Sequence, residues 1–385
     1  MVGSGHAKEN TAAEKVFFAA ILQGSVDEVK SMVADSPELL TAYNYECFGA
    51  TPLTMISFCG DTAMIDALLD VGVDINRRSD WWAGPWSPLH CAIHEGNDGL
   101  AEHLLSRGAE LDVHTAASLA RISDLSRLLD ESPERIAEPG GDGCQPLHFA
   151  GTPSAADLLL ERGADIEARC VDHFSTPVQY LCKSRPAVAR HLFSRGAQAD
   201  IFSASIAGDL EVVRQLIASD QSVLDSRINQ KTFPPGPEHD VHNIMTFYVG
   251  GDCAPLHAAA KGNQPDLVHL LAGAGANRNV RGGYDDASPL HIAAWEDHLD
   301  AAVALAEEGA DIDLKSGKIH NNTPAGWAIV AGSCNVFEML MDRGAEVRDF
   351  FLADAEAAVD GKFRQYKIVP QENYERILSR LQSAM

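Results

Sequence analysis

The chain has 385 residues, 45% of them hydrophobic and 22% charged, with a formal net charge of -25. It can bury a sizeable core and lies far from the disordered regime, while its negative field repels a nucleic-acid backbone, so no nucleic-acid partner is expected. No run approaches ~18 consecutive apolar residues, and Met1 to Asn10 has neither zone of a signal peptide, so a cytoplasmic chain without a membrane segment is expected.

The first residues, 1–14, read as a tail, and repetition begins at Val16. The first unit carries the pair Met32-Val33, with Gly24 nine residues before its second member and Pro37 four after it. At Thr51 a second template starts: a Thr or Ser caps a helix and Pro occupies its first turn. A Gly breaks that helix about eight residues on, and an amphipathic second helix ends at a Gly expected in the left-handed conformation. The spacing is 20 residues for Pro52 to Gly72, Pro88 to Gly108, Pro255 to Gly275, Pro289 to Gly309 and Pro324 to Gly344. Pro146 to Gly163 and Pro177 to Gly196 are shorter, which predicts small deletions within the helices. The first template recurs at Leu128-Leu129, with Ala120 in the place of Gly24, and at Leu216-Ile217 with Gly208. About ten units fill residues 15–350, with an insert at 229–252, and 351–385 form a C-terminal helical cap.

Ser-Pro-Leu-His at 87–90 and 288–291, with Gly-Ala-Asp-Ile at 163–166 and 309–312, resembles the ankyrin-repeat family over roughly nine tenths of the chain. The resemblance implies an all-α solenoid of antiparallel helix pairs with projecting hairpins, whose concave face of hairpin tips and inner helices binds other proteins. It also implies that His90, His148, His257 and His291, which share one repeat position, are structural and bond backbone groups of the next unit.

Residues that depart from the repeat are the candidates for function. Six and seven places after the Pro stand Phe58 and Cys59, His94 and Glu95, Lys261, and Trp295 and Glu296. Bulky or titratable groups at such groove positions point to a ligand. The connection from Gly72 to Pro88 is about three residues longer than usual and carries Trp81, Trp82 and Trp86, large amphipathic rings of the kind that binding hot spots favour. Hairpin tips add Tyr43, Tyr45, His173, Phe174, Arg281, Tyr284, Asp285, Asp286, His320 and Asn321. The insert mixes Pro234, Pro235 and Pro237 with Phe233, His239, His242, Phe247 and Tyr248, and is expected to fold back as a lid that buries its aromatic rings.

The preferred reading is a monomeric recognition protein that takes a protein or peptide in its groove, with Phe58, Trp81, Trp82, Trp86, His94, Lys261, Phe174, Tyr248, Arg281, Tyr284 and Trp295 as binding residues. The alternative is an enzyme or small-molecule binder with a pocket under the insert, using His94, Glu95, His239, His242, Tyr284 and Asp285 for acid-base work. No cofactor is expected. Eight cysteines without a close pair predict reduced thiols, and a His-x-x-His spacing on a loop does not force two imidazoles onto one ion, so no metal site is expected either.

Overall fold

A computed structural model of the chain describes residues 9–228, 243–317, 322–362 and 369–384. Among these are 22 α-helices, and the only extended pairing is two isolated antiparallel bridges, Asn44 with Ala50 and Gly282 with Ala287. The chain divides into two compact units, Met1–Leu192 and Phe193–Met385.

In the first unit the repeat beginning at Thr51 shows why these residues fold as they do. The Thr51 hydroxyl accepts the Thr54 N–H at 3.2 Å and Thr54 returns the bond to the Thr51 N–H at 2.7 Å, closing the start of helix Pro52–Cys59. Gly60 ends that helix at φ 78°, and Asp61 caps the next, Thr62–Asp70, through the Met64 N–H at 3.0 Å. Every residue from Pro52 to Ser57 is buried, because the helix is enclosed by its partner and by the next first helix, Pro88–His94. The second helix buries only one stripe, Met64, Ile65, Ala67 and Leu68, each of the larger side chains stabilising by roughly 1.5–3 kcal/mol.

The repeat-ending glycines Gly72, Gly108, Gly163 and Gly196 take φ of 94–99°, as the spacing predicts, and Ala120 is forced into the same region at φ 51°. The shortened repeat after Gln145 differs from a trimmed helix. Its first helix is reduced to the 3-10 turn Pro146–Phe149, and Pro153–Glu161 follows directly, capped by Thr152. That turn fits because Gly151 presses against the preceding repeat, where a Cβ would lie 1.8 Å from the Ser118 carbonyl oxygen.

The second unit repeats the pattern in the pairs Pro255–Lys261 with Pro265–Gly273, Pro289–Glu296 with Leu299–Glu307, and Pro324–Ala331 with Cys334–Asp342. Phe351–Val359 and Gln371–Ala384 close it, with Tyr374 buried against Ala358, Val330, Val359 and Val369. Residues 229–242 of the insert, with Phe233, His239 and His242, lie outside the described residues. Its base is paired: the Ile228 N–H donates to Cys253 O at 3.0 Å and the Asp252 N–H to Ile228 O at 2.7 Å. On its return, Ile244 and Met245 of the short helix Ile244–Tyr248 are buried and Tyr248 is half-buried. Phe247 is not buried as expected but 64% exposed, since a helix this short can turn only one side inward and Ile244 and Met245 occupy that side.

Candidate functional site

Three hairpins of the first unit meet where the sequence is least regular. Residues 79–86 form a closed loop in which the Ser79 N–H donates to Trp86 O at 2.8 Å and the Trp86 N–H to Ser79 Oγ at 2.9 Å. Trp86, 4% exposed, donates its indole N–H to Asp142 Oδ1 at 3.0 Å. Asp142 stands in Gly140-Gly141-Asp142-Gly143 at φ 57°, and only glycine fits at 141, where a Cβ would lie 2.4 Å from the Trp86 ring. The third hairpin is tied to the second by the Val171 and Asp172 N–H groups, which donate to Asp142 O at 2.9 and 3.1 Å.

This joins groups far apart in the chain. Asp172 accepts the Trp81 indole N–H at 3.3 Å, and His173 Nε2 lies 3.5 Å from Asp142 Oδ2 and 4.0 Å from Asp172 Oδ2. Burial opposes a charge on His173, but bonding to Asp142 and the charges of Asp142 and Asp172 carry its pKa above the ordinary imidazole value. Burial and the neighbouring Asp142 charge raise that of Asp172.

An aromatic tract runs beside these groups. Ring centroids are 5.2 Å apart for Phe48 and Phe58, 5.3 Å for Phe58 and Trp86, 5.1 Å for Trp86 and His94, and 5.6 Å for His94 and Tyr180. Burial lowers the His94 pKa. His94 Nδ1 and the Tyr180 hydroxyl are in hydrogen-bond contact at 2.8 Å, and Nε2 lies 3.9 Å from Glu95. An apolar cleft of about 230 Å³ opens at the end of the tract, lined by Leu22, Asn44, Cys47, Phe48, Met55, Phe58 and Cys59. Trp82, adjoining Trp81 at 6.1 Å, is 69% exposed.

The four repeat histidines are not equivalent. His148, His257 and His291 bond backbone carbonyls of the following hairpin through Nε2, at 3.1 Å to Ser175, 3.0 Å to Ala287 and 3.0 Å to Asn322. His90 departs from that expectation and bonds the Asp112 carboxylate at 2.6 Å, because the next unit opens with Asp112, which also caps helix Val113–Ser118. Beneath it His114 stands where Leu53 stands in the Thr51 repeat, fully buried and bonded to Glu138 O at 2.9 Å, its pKa pushed down to about 4 by burial.

Of the sequence candidates, Phe58, Trp81, Trp86 and His94 are therefore brought together. Glu95 lies at their margin, and Phe174 follows His173 with its ring under the Arg169 guanidinium at 4.8 Å. Asp142, Asp172 and Tyr180 had no repeat signal beyond the Gly-Gly-Asp-Gly run. In the second unit Lys261 pairs with Glu296, and Trp295 packs edge-on against Trp327 at 5.9 Å. Arg281 donates to Asp286 O at 3.1 Å and Lys315 O at 2.8 Å. Asp285 is buried and accepts the Ser316 hydroxyl at 2.9 Å, while Tyr284 is 66% exposed.

A family model described as ankyrin repeats matches this chain in three copies, over residues 16–115, 201–316 and 256–350. The chain belongs to the ankyrin-repeat family. Ankyrin repeats are generally protein-interaction modules. Similar curated proteins include human transient receptor potential cation channel subfamily A member 1, 25% identical over 229 residues, which are 55% of this chain and 16% of that protein. Ankyrin repeat protein nuc-2 of Neurospora crassa is 27% identical over 292 residues, 70% of this chain and 26% of that protein. Rat ankyrin repeat and SAM domain-containing protein 6 is 27% identical over 139 residues, 36% and 15% of the two chains. The chain thus spans between 15% and 26% of these relatives' lengths. The three matched copies leave residues 116–200 outside them, the stretch that supplies Asp142, Asp172, His173 and Tyr180. No helix among the described residues is long and apolar enough to cross a membrane.

Proposed function

We propose that this chain is a recognition protein whose first unit binds a protein or peptide segment bearing an apolar or aromatic side chain next to a positive charge. The observation that carries the reading is the apolar cleft beside Phe48 and Phe58, continued by the Phe48–Trp81–Trp82 rings and flanked by the carboxylates of Asp172 and Glu95. An aromatic lining offers a large contact area at low entropy cost, and a cation over its rings gains about 0.5–2 kcal/mol. The net charge of -25 favours encounter with a cationic segment. A monomer in a reducing, cytoplasmic setting fits six buried free thiols, Cys91, Cys144, Cys170, Cys182, Cys253 and Cys334.

One observation favours a second reading: the desolvated His94 bonded to Tyr180 is an arrangement that could also serve a small molecule or an acid-base step. Selection from a random displayed-peptide library separates the two. The proposal expects peptides with Lys or Arg beside an aromatic or aliphatic residue, and at least about a tenfold loss of affinity in both Phe58→Ala and Trp82→Ala. Failure to enrich any motif, or equal binding by both variants, refutes peptide recognition at this site.

A further inference from the structure

We propose that Asp142, Asp172 and His173 form a binding site for a single divalent transition-metal ion. Their donor atoms, one from each residue, all lie within 4.8 Å of one another. The two His173 separations, 3.5 and 4.0 Å, are too long for strong hydrogen bonds. The 3.5 Å separation matches two ligands on a common ion with bonds of about 2.0–2.2 Å, and the 4.0 Å separation is roughly half an ångström longer.

The electrostatics favour a cation. Two carboxylates converge on one imidazole, and among the described residues no Lys or Arg lies within ion-pair distance of Asp142 or Asp172. The carboxylates are also oriented from outside, Asp142 by the Trp86 indole N–H at 3.0 Å and Asp172 by that of Trp81 at 3.3 Å. Outer donors of this kind hold the ligating side chains in orientation in metal sites. The backbone beneath is held as well, because Asp142 O accepts both the Val171 and Asp172 N–H groups.

Two other clusters of potential ligands do not reach this standard. In Cys144, His148 and Cys170 both His148 nitrogens are committed to backbone groups, Nδ1 to the Gln145 N–H at 3.2 Å and Nε2 to Ser175 O at 3.1 Å. In His90, Asp112 and His114 the imidazole and carboxylate bond each other directly at 2.6 Å, with both histidines fully buried. The Asp142 set is partly open to solvent, with side-chain exposures of 11%, 21% and 14% for Asp142, Asp172 and His173.

Two carboxylate oxygens and one imidazole nitrogen suit Mn²⁺, Fe²⁺, Co²⁺ or Zn²⁺ and are too few for Ca²⁺, which takes 6–8 oxygens. Three protein ligands leave at least one position for water or an incoming donor. Asp172 also flanks the surface proposed for peptide binding, but metal binding needs no peptide partner for its test.

The experiment is titration of the chelator-treated full chain with Zn²⁺ by calorimetry and with Co²⁺ by visible absorption, together with tryptophan fluorescence. One ion per chain is expected, with a fluorescence change because Trp81 and Trp86 bond the ligands directly. Asp172→Asn and His173→Gln should each weaken binding at least ~100-fold, and Trp81→Phe by ~10-fold, while far-ultraviolet dichroism and melting confirm folding. His239→Ala/His242→Ala should retain full affinity. Absence of stoichiometric binding, binding untouched by the Asp172 and His173 variants, or loss in the His239/His242 variant overturns the assignment.

Discussion

Trp86→Phe tests whether the indole hydrogen bond to Asp142 holds the hairpins of the first unit together. Phenylalanine keeps a ring against Phe58 and His94, now 5.3 and 5.1 Å away, but removes the only donor that reaches Asp142 Oδ1 among the bonds described. A hydrogen bond to a charged group contributes ~1.5–3 kcal/mol. The smaller ring at a site 4% exposed leaves a void worth about 1 kcal/mol more. The expected loss is therefore about 2.5–4 kcal/mol in urea unfolding followed by far-ultraviolet dichroism, which avoids the altered tryptophan signal. In Trp86→Phe/Asp142→Asn the residue at 142 no longer carries an uncompensated charge, so the two changes should be non-additive by at least ~1 kcal/mol. A single-variant loss below about 1 kcal/mol, or simple additivity, would refute this reasoning.

Other outcomes follow from the same geometry. Ala120→Gly should raise stability by about 1 kcal/mol in denaturant unfolding, since a side chain at φ 51° is strained and the equivalent Gly24 and Gly208 are not. Gly151→Ala should cost several kcal/mol and depress the melting temperature, because the new Cβ would lie 1.8 Å from a backbone oxygen that cannot yield cheaply. Acid should destabilise the protein in a defined window. Burial holds His114, His148, His257 and His291 down to about 4 in the folded chain, below the ordinary 6.5. The unfolded chain therefore binds more protons between these values, and stability present above pH 6.5 is lost as pH falls towards 4, by up to ~3 kcal/mol per histidine. Flat stability across that interval in a pH series of urea melts would contradict neutral buried imidazoles.

The repeats were legible because their signals are local. A Thr or Ser cap, Pro at the first turn and a left-handed Gly at the end each act within one helix, and the caps at Thr51, Ser87, Thr176 and Thr323 accept the expected N–H groups. Phe247 was misread for the complementary reason. An aromatic ring in a loop gains from burial wherever burial is offered, but the sequence does not say which side of a five-residue helix faces inward. Of the site, the groove positions Phe58 and His94 and the lengthened tryptophan loop could be found by comparing repeats with one another. Asp142, Asp172 and Tyr180 could not, since Trp86 meets Asp142 across 56 residues and Trp81 meets Asp172 across 91.

Where repeats deviate has its own logic. Stability in a repeat array is close to a sum of each unit and its contacts with neighbours, so a polar or strained substitution in one unit is a local cost that the others do not remove. Between Trp81 and Tyr180 these costs accumulate: His114 in a Leu place, Ala120 and Asp142 at positive φ, a first helix cut to a 3-10 turn, and His90 bonded to a carboxylate. The same substitutions admit the close approach of three hairpins, which regular repeats of equal length would hold apart. A charged, half-open cluster beside a continuous aromatic surface arises only from that irregularity, which is why this stretch, outside the matched repeat copies from residue 116 onward, is where binding chemistry should be sought.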